Sequence, residues 1–302
     1  MKEKYKFKVK IINKTKEKDL VKLWGNAIKE LAIDIMEDYF DFSCNLNIVI
    51  KNLNKDKNFV TGEVVNGYCR KNMSKNNYTI ALNINSLKLI NYDEGLDIYS
   101  TYIHELTHIY DIHHIINNKY YSINPQSIKH KTFSSFFIYY GWLYWTEFYA
   151  YYNTYKFEND QTYPRLKQLI TSWKKLENEY TQIIDNLENQ TKNIGKQKFK
   201  DFVTKVEQFT YIFAKYNAGC CFNHSHYEYC EKTKNTKEYK YIVKLRKGLL
   251  KHAEKLLTNT YGKGLARKLY DLGYYIYVNI YDHFNIWPCK YWGTIKQGVY
   301  LK

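Results

Sequence analysis

Hydrophobic and polar residues alternate near the start of the chain, where Tyr5, Phe7, Val9 and Ile11 are separated by lysines. A period of two predicts a strand with one buried face. Apolar residues then recur at helical spacing as far as about residue 38, and Thr15 is the predicted cap of that helix. Three further strands are predicted, at NLNIVIKNL (45–53), FVTGEVVNGYCR (59–70) and NYTIALNI (77–84), with the polar turn KNMSKN between the last two.

The pattern changes to helical spacing near Leu96 and stays helical over most of the remaining chain. The first of these helices runs through the stretch HELTH to about residue 115. We therefore expect an α+β fold, with a sheet-containing half at 1–125 and an all-α half at 126–302. The later helices are predicted at 133–155, 164–190, about 197–216, 238–258 and about 262–284, with KNIGK separating the second from the third, a loop at 217–237, and a tail NIWPCKYWGTIKQGVYLK without clear periodicity.

Segment 133–155 is long enough to span a membrane and carries a single charge. It is rich in Tyr, Ser, Thr and Asn, however, and no second span or anchor pattern flanks it. We expect a buried helix with Trp142 and Trp145 in the core. The N-terminus has no apolar signal region, and the six cysteines lack framework spacing. Both features predict a cytoplasmic protein with reduced thiols and no membrane partner.

The net charge is +16, from 46 Lys and Arg against 30 Asp and Glu. Basic proteins of this kind bind nucleic acids when their charge is gathered on one face, because phosphates then release counterions. Here the lysines are scattered and mixed with acidic residues, as in KEKYKFKVK and SWKKLENEY. A nucleic-acid partner is therefore an alternative, and it is not the favoured one.

The stretch HELTH places His104 and His108 four residues apart, with Glu105 directly after the first. On a helix these two positions lie about 40° apart and about 6 Å along the axis, so both imidazoles project from one stripe. Two imidazole nitrogens can then reach one ion at about 2.1 Å. Glu105 lies about 100° round, beside the ion, where a base can take a proton from metal-bound water. The spacing predicts a zinc site with Glu105 as general base.

A catalytic zinc ion needs a third protein ligand, and three residues are candidates. Asp111 lies on the same stripe but about 10 Å along the axis from His104, so we expect it to support the site or to face solvent. His114 has the spacing HExxHxxxxxH, an arrangement that needs a sharp bend after the second His, and it stays open as an alternative. Glu147 is preferred, because it is the one charged residue of the aromatic helix 133–155 and a lone carboxylate there is costly unless a cation compensates it.

This set of residues resembles the zincin metallopeptidases of the gluzincin type, which combine HExxH with a downstream Glu. The segment TEFYA, which contains Glu147 and Ala150, is similar to the E-x-x-A element of the ImmA/IrrE-like peptidases of phage and mobile elements. The resemblance implies one zinc ion per chain, held by His104, His108 and Glu147, with Glu105 as general base.

The resemblance covers roughly residues 1–155 and also implies a zincin-like N-terminal subdomain. In such a subdomain the last strand before the active-site helix lines the substrate cleft, so YTIALNI (78–84) would be an edge strand that pairs with an extended peptide. Two departures stand out. Tyr151 occupies the place of an Asp found in thermolysin-like enzymes, and no methionine follows Met73, so the Met-turn of the metzincins is missing and His114 is disfavoured.

A second group of metal-ligand residue types lies in CCFNHSHYEYC. Four of its side chains are enough for a structural zinc site, but no established spacing fits, so we expect a plain loop with free thiols. His224 and His226 are also available as oxyanion donors, and neither is preferred. The group comprises Cys220, Cys221, His224, His226 and Cys230.

The sequence therefore predicts a cytoplasmic zinc-dependent metallopeptidase that hydrolyses a peptide bond in a protein substrate. The helical half at 126–302 is predicted to carry the third ligand and to select the substrate. The alternatives are a non-catalytic basic helical adaptor on a zincin-like fold and a nucleic-acid-binding protein. An intact HELTH argues against the adaptor, because a scaffold has no need of Glu105.

Overall fold

A computed structural model shows two compact units, Met1–His114 and Ile115–Lys302. The predicted boundary near residue 125 lies outside the described residues, and the roles assigned to the two halves stay predictions. The residues described are 5–53, 67–71, 76–85, 95–119, 132–157, 166–189, 192–222, 236–291 and 294–299.

The first unit contains a four-stranded mixed sheet in the order β1-β2-β4-β3. Strands β1 and β4 each pair in parallel with β2, and β3 pairs antiparallel with β4. A helix lies between β1 and β2 in the chain, and a second helix follows the last strand. These elements are β1 (Phe7–Asn13), α1 (Lys18–Tyr39), β2 (Cys44–Lys51), β3 (Gly67–Lys71), β4 (Asn77–Asn83) and α2 (Gly95–Ile116).

The burial of the strands explains their positions in the sheet. β1 keeps alternating half-buried and exposed residues, as its lysines predict, whereas β4 is buried along almost its whole length. A strand buried on both faces belongs in the interior of a sheet. α1 lies against β1, where Gly25 leaves room beside Ile11. The buried stripe of α1 recurs at helical spacing, at Val21, Ile28, Ala32, Ile35 and Met36.

Two predictions for this unit are wrong. YTIALNI does not form the sheet edge, because β4 pairs with β2 on one side and with β3 on the other, and β3 is the outer strand of the described sheet. Thr15 does not cap α1. Its hydroxyl oxygen accepts a hydrogen bond from the backbone N–H of Glu17, and Glu17 itself occupies the cap position.

The second unit is mainly helical. Its first helix has a fully buried aromatic interior that includes Trp145 and Phe148, and Trp142 is also buried, which confirms the predicted buried helix. The last helix continues through a π-helical turn at Tyr277–Tyr281 and a 3₁₀ turn at Asp282–Phe284. The helices are α3 (Phe133–Phe157), α4 (Leu166–Asn189), α5 (Lys192–Phe222), α6 (Lys237–Leu257) and α7 (Leu265–Ile276), and they precede the strands β5 (Ile286–Tyr291) and β6 (Thr294–Val299).

Helices α3 and α7 approach each other closely at two glycines, Gly141 and Gly273. A Cβ atom added to Gly141 would lie 1.9 Å from the carbonyl oxygen of Leu269. A Cβ atom added to Gly273 would lie 1.9 Å from the carbonyl oxygen of Phe137. Only glycine allows the two backbones this close together.

Three local predictions for this unit are wrong. KNIGK does not separate two helices, because α5 already begins at Lys192. The predicted loop at 217–237 begins too early, because α5 continues to Phe222. The tail without periodicity forms an antiparallel hairpin of β5 and β6.

The structure confirms the predicted α+β fold, with a small mixed sheet in the N-terminal half and a C-terminal half built from helices apart from the terminal hairpin. None of the helices in the described ranges combines the length and the apolarity needed to cross a lipid bilayer.

Candidate metal centre

Helix α2 buries one side and leaves both HELTH histidines half-buried. Tyr102, Leu106 and Ile109 are each 1% exposed and belong to the core. His104 and His108 lie on the neighbouring stripe with intermediate exposure. The helical register predicted from the spacing is therefore present, and the two imidazoles share one face of the helix.

The two imidazoles converge on one point. The Nε2 atoms of His104 and His108 lie 2.9 Å apart, and the rings are nearly perpendicular, at 86°. Two nitrogens bound to one tetrahedral zinc ion at about 2.1 Å lie about 3.4 Å apart, so a small side-chain adjustment suffices for both to reach an ion. Burial lowers the pKa of His108 to about 4, so its imidazole is neutral near pH 7. Neutral imidazole is the form that binds metals.

The two acidic residues of α2 are both buried. Glu105 is 7% exposed and lies next to the first histidine in the chain. Asp111 is 0% exposed, so the expectation that it might face solvent is wrong. A buried carboxylate is costly in free energy unless charged or hydrogen-bonding partners compensate it. Such buried carboxylates are often found at reactive sites, so the burial of Glu105 is consistent with a general base.

His114 is engaged elsewhere. Its Nε2 atom lies 2.7 Å from Oδ1 of Asp41. The preceding residue, His113, stacks on Phe42 with ring centroids 3.5 Å apart and shares a hydrogen bond with the hydroxyl of Tyr78. These contacts hold the end of α2 against the sheet, and His114 is outside the metal-ligand group described below.

Glu147 lies on α3 between the fully buried residues Trp145 and Phe148. Burial raises the pKa of Glu147 to about 7, and the nearby ammonium group of Lys215 opposes the rise. The Lys215 Nζ also lies 4.9 Å from the ring centroid of Tyr151, one turn further along α3. The Glu147 side chain is half-buried among the aromatic residues of this helix.

The ligand atoms of His104, His108 and Glu147 all lie within 4.8 Å of one another. Within the described part of the chain, this is the one group of three or more His, Cys, Asp or Glu side chains that meets this distance. Two imidazoles and one carboxylate fit a catalytic zinc ion with an open fourth position, and the same donors also occur in non-haem iron(II) sites. The structure brings the three predicted ligands together, and their binding of a metal stays a prediction.

Sequence reasoning missed two residues near Glu147, both on α5. The pKa of Tyr211 is raised well above its usual value, mainly by burial and then by the charges of Glu147 and Glu207. Lys215 lies one turn further along the same helix. Their spacing of four is visible in the sequence, but with 33 tyrosines and many lysines nothing local shows which helix face meets α3.

The second predicted group of metal-ligand residue types is only partly described. Cys220 and Cys221 lie at the end of α5, and the other three members fall outside the described residues. Burial raises the pKa of the Cys221 thiol to about 12 and also raises that of Cys220. The thiols of Cys44, Cys220 and Cys221 are free.

Comparison with protein-family models, with curated proteins and with solved structures found no match to this chain. The function therefore has to be inferred from the chain's own residues.

Proposed function

We propose that the protein is a zinc-dependent metallopeptidase that hydrolyses a peptide bond in a protein substrate, with one zinc ion per chain. The proposal is carried by one observation, the convergence of the ligand atoms of His104, His108 and Glu147 within 4.8 Å. Glu105, a buried carboxylate directly after the first histidine, supplies the group that a hydrolase needs in addition to the ligands.

The residues have distinct tasks in this proposal. A bound zinc ion would polarise the scissile carbonyl and make a water molecule more acidic. Glu105 accepts the proton of the attacking water and delivers it to the leaving amine. The two imidazoles and the Glu147 carboxylate would hold the ion, and three ligands would leave a fourth position open for water. A non-catalytic adaptor would use the same ligands but would have no task for Glu105.

The sheet offers a place for an extended substrate. β3 (Gly67–Lys71) is the outer strand of the described sheet, so its outward N–H and C=O groups suit pairing with a peptide strand. The substrate strand is therefore assigned to β3, in place of the strand YTIALNI. Main-chain pairing of this kind favours an extended, unfolded segment of a protein over a compact surface.

The cytoplasm is the proposed compartment. The thiols of Cys44, Cys220 and Cys221 are free, which suits a reducing environment. The likeness to peptidases of phage and mobile elements extends the proposal to a regulatory protein as substrate, and this part rests on the resemblance alone.

The decisive experiment combines metal analysis with a cleavage assay on the full chain. Purified protein is analysed for zinc and iron and is then incubated with an unbiased peptide library read by mass spectrometry. We expect about one zinc per chain, cleavage that a chelator abolishes, and recovery of cleavage on adding zinc.

A chain that contains stoichiometric iron instead of zinc would overturn the zinc assignment. A chain that binds zinc but cleaves no peptide, either in the library or in unfolded protein substrates, would support the adaptor in place of the peptidase.

A further inference from the structure

The exposed face of α6 carries almost only lysine. Seven residues of this helix are exposed, and six of them are lysines, the seventh being Glu254. The opposite face is apolar and buried, with Ile242, Leu245 and Leu249 at most 2% exposed. The exposed lysines, called the lysine face below, are Lys237, Lys240, Lys244, Lys247, Lys251 and Lys255.

The spacing of the lysine face aligns its charges in one row. The six positions are separated by three or four residues, so at 100° per residue they fall within an arc of about 80°. From Lys237 to Lys255 the row is about 27 Å long, with one ammonium group about every 5 Å. The scattered lysines of the sequence thus become one continuous basic surface in this helix.

Little acidic charge accompanies the lysine face on its own helix, where Glu254 is the one exposed acidic residue. Within the described residues, no ion pair joins any of the six ammonium groups to a carboxylate, and Glu238 pairs instead with Lys174, at 4.0 Å. The pKa of His252 is lowered, first by burial and then by Lys255, with a smaller contribution from Lys251 and an opposing one from Asp271. A positive potential therefore surrounds this face of the helix.

We propose that the lysine face binds the phosphate backbone of duplex DNA without reading its sequence. Duplex DNA carries one negative charge about every 1.7 Å of its axis, so a row about 27 Å long meets many phosphates and releases their counterions. Lysine is a point charge that suits phosphate contact, and the face has no Arg, Asn or Gln side chain to read base edges. This surface is independent of the metal centre and of the peptidase activity.

Other polyanions fit the face less well. Single-stranded nucleic acid is normally held by exposed aromatic side chains that stack on bases, and no aromatic residue is exposed on α6. A membrane-surface helix inserts an apolar face into the lipid, whereas the apolar face of α6 lies in the protein core. A continuous row of one sign also matches a regular polymer better than the mixed charges of a protein surface.

The test measures binding of the full chain to a fluorescent duplex of about 30 base pairs, by anisotropy at several salt concentrations. With four to six phosphates neutralised, log Kobs should fall with log salt with a slope of about −4 to −5. Two unrelated duplex sequences should bind with affinities equal within about twofold. A slope near zero, or a strong preference for one sequence, would overturn the proposal.

Two triple variants distinguish the effect of the lysines' position on DNA binding from the effect of the protein's net charge. Lys244→Gln, Lys247→Gln and Lys251→Gln together remove half of the lysine face. Lys16→Gln, Lys22→Gln and Lys29→Gln together remove the same charge from exposed positions in and before α1. Circular dichroism and thermal melting confirm that both variants are folded.

The α6 variant should bind DNA at least about tenfold more weakly than wild type near 0.1 M salt, and its slope of log Kobs against log salt should be less steep by about 2 to 3. The affinity of the α1 variant should stay within about twofold of wild type. Equal losses in both variants would show a general charge effect and refute the lysine face. Tighter binding to single-stranded RNA, to duplex RNA or to anionic phosphatidylserine vesicles than to duplex DNA would refute the choice of partner.

Discussion

The Nε2 atoms of His104 and His108 lie 2.9 Å apart on one stripe of α2. At this distance the two rings either share a hydrogen bond as neutral tautomers or share a metal ion. Both arrangements suit the spacing of four, which places the second side chain about 40° from the first, whereas a spacing of three or five places it about 60° or about 140° away. The two arrangements predict different changes in the zinc content of the protein when one of the two histidines is replaced.

If the histidines share an ion, then His104→Ala or His108→Ala should each lower the zinc content from about one per chain to near zero after dialysis. Two ligands cannot hold catalytic zinc at the affinity that three provide. His114→Ala is the matched control, because His114 lies on the same helix but contacts Asp41. Elemental analysis checks both. Loss of zinc in the control variant, with zinc kept in either of the other two, would assign the site to different histidines.

Glu147→Gln should weaken zinc binding by more than about 100-fold. Removing a group that merely supports a metal ligand costs about 10–100-fold, and the loss of a ligand should exceed that. The control is Glu207→Gln, a half-buried glutamate on α5 that accepts a hydrogen bond from the Tyr140 hydroxyl. Competition with a chromophoric zinc chelator measures both affinities. Equal affinities for wild type and Glu147→Gln would remove Glu147 from the site.

Glu105→Gln should lower the rate of peptide cleavage by about 10²–10⁴-fold while the zinc content stays at one per chain. The amide cannot accept a proton from water, but it keeps the size and most contacts of the carboxylate. Glu30→Gln, exposed on α1, should leave both quantities unchanged. Normal cleavage by the Glu105→Gln protein would show that this residue is not the general base.

Gly141→Ala and Gly25→Ala should shift stability in opposite directions, although both glycines lie within helices. The new methyl group at position 141 would meet the Leu269 carbonyl, so the two helices must separate, at a cost of about 2 kcal/mol or more. At position 25 the nearest atom, in Ile11, is 3.6 Å away, and the helix gains about 0.5–1 kcal/mol. Urea unfolding measures both. A stabilised Gly141→Ala protein would contradict the close approach of α3 and α7.

Alkaline pH should weaken the fold in part through Cys44. Burial raises the pKa of this thiol from 9.0 to about 12, so the folded protein holds the proton more tightly than the unfolded chain does. The free energy of unfolding therefore falls as the pH rises from 9 towards 12, by about 1.4 kcal/mol for this group between pH 8 and pH 10. Between pH 8 and pH 10, the free energy of unfolding of Cys44→Ala should fall by about 1.4 kcal/mol less than that of the wild type. Thermal unfolding at the two pH values measures the difference. Equal losses would show that the thiol titrates normally.

The placement of the two histidines on one stripe of the helix was predictable because it depends only on backbone geometry. The i to i+4 spacing puts two imidazoles on one stripe of any α-helix, wherever that helix packs. Glu147 was predictable for another local reason, since a single carboxylate among aromatic residues needs compensation. Which of the three candidates would lie near the histidines depended on packing. His114 instead contacts Asp41, a residue 73 positions earlier in the chain.

The position of β4 shows why a strand's sequence does not reveal its neighbours. YTIALNI is buried on both faces, which suits the interior of a sheet, and β3 covers the side that the family resemblance assigns to the substrate. KNIGK is a similar case, because a glycine lowers helix stability only modestly and packing of the flanking turns can keep the helix continuous.

The sequence by itself determined the mixed strand and helix content and the stripe of His104 and His108, because each follows from periodicity within one segment. The lysines of α6 also recur at helical spacing, but only the folded helix distinguishes them, as one exposed row, from the other lysines of the chain. Tertiary structure alone decided the strand order, the proximity of Glu147 to the two histidines, and the exposure of that row of lysines. Those features depend on side chains from distant segments excluding water together, and no local pattern specifies which segments meet.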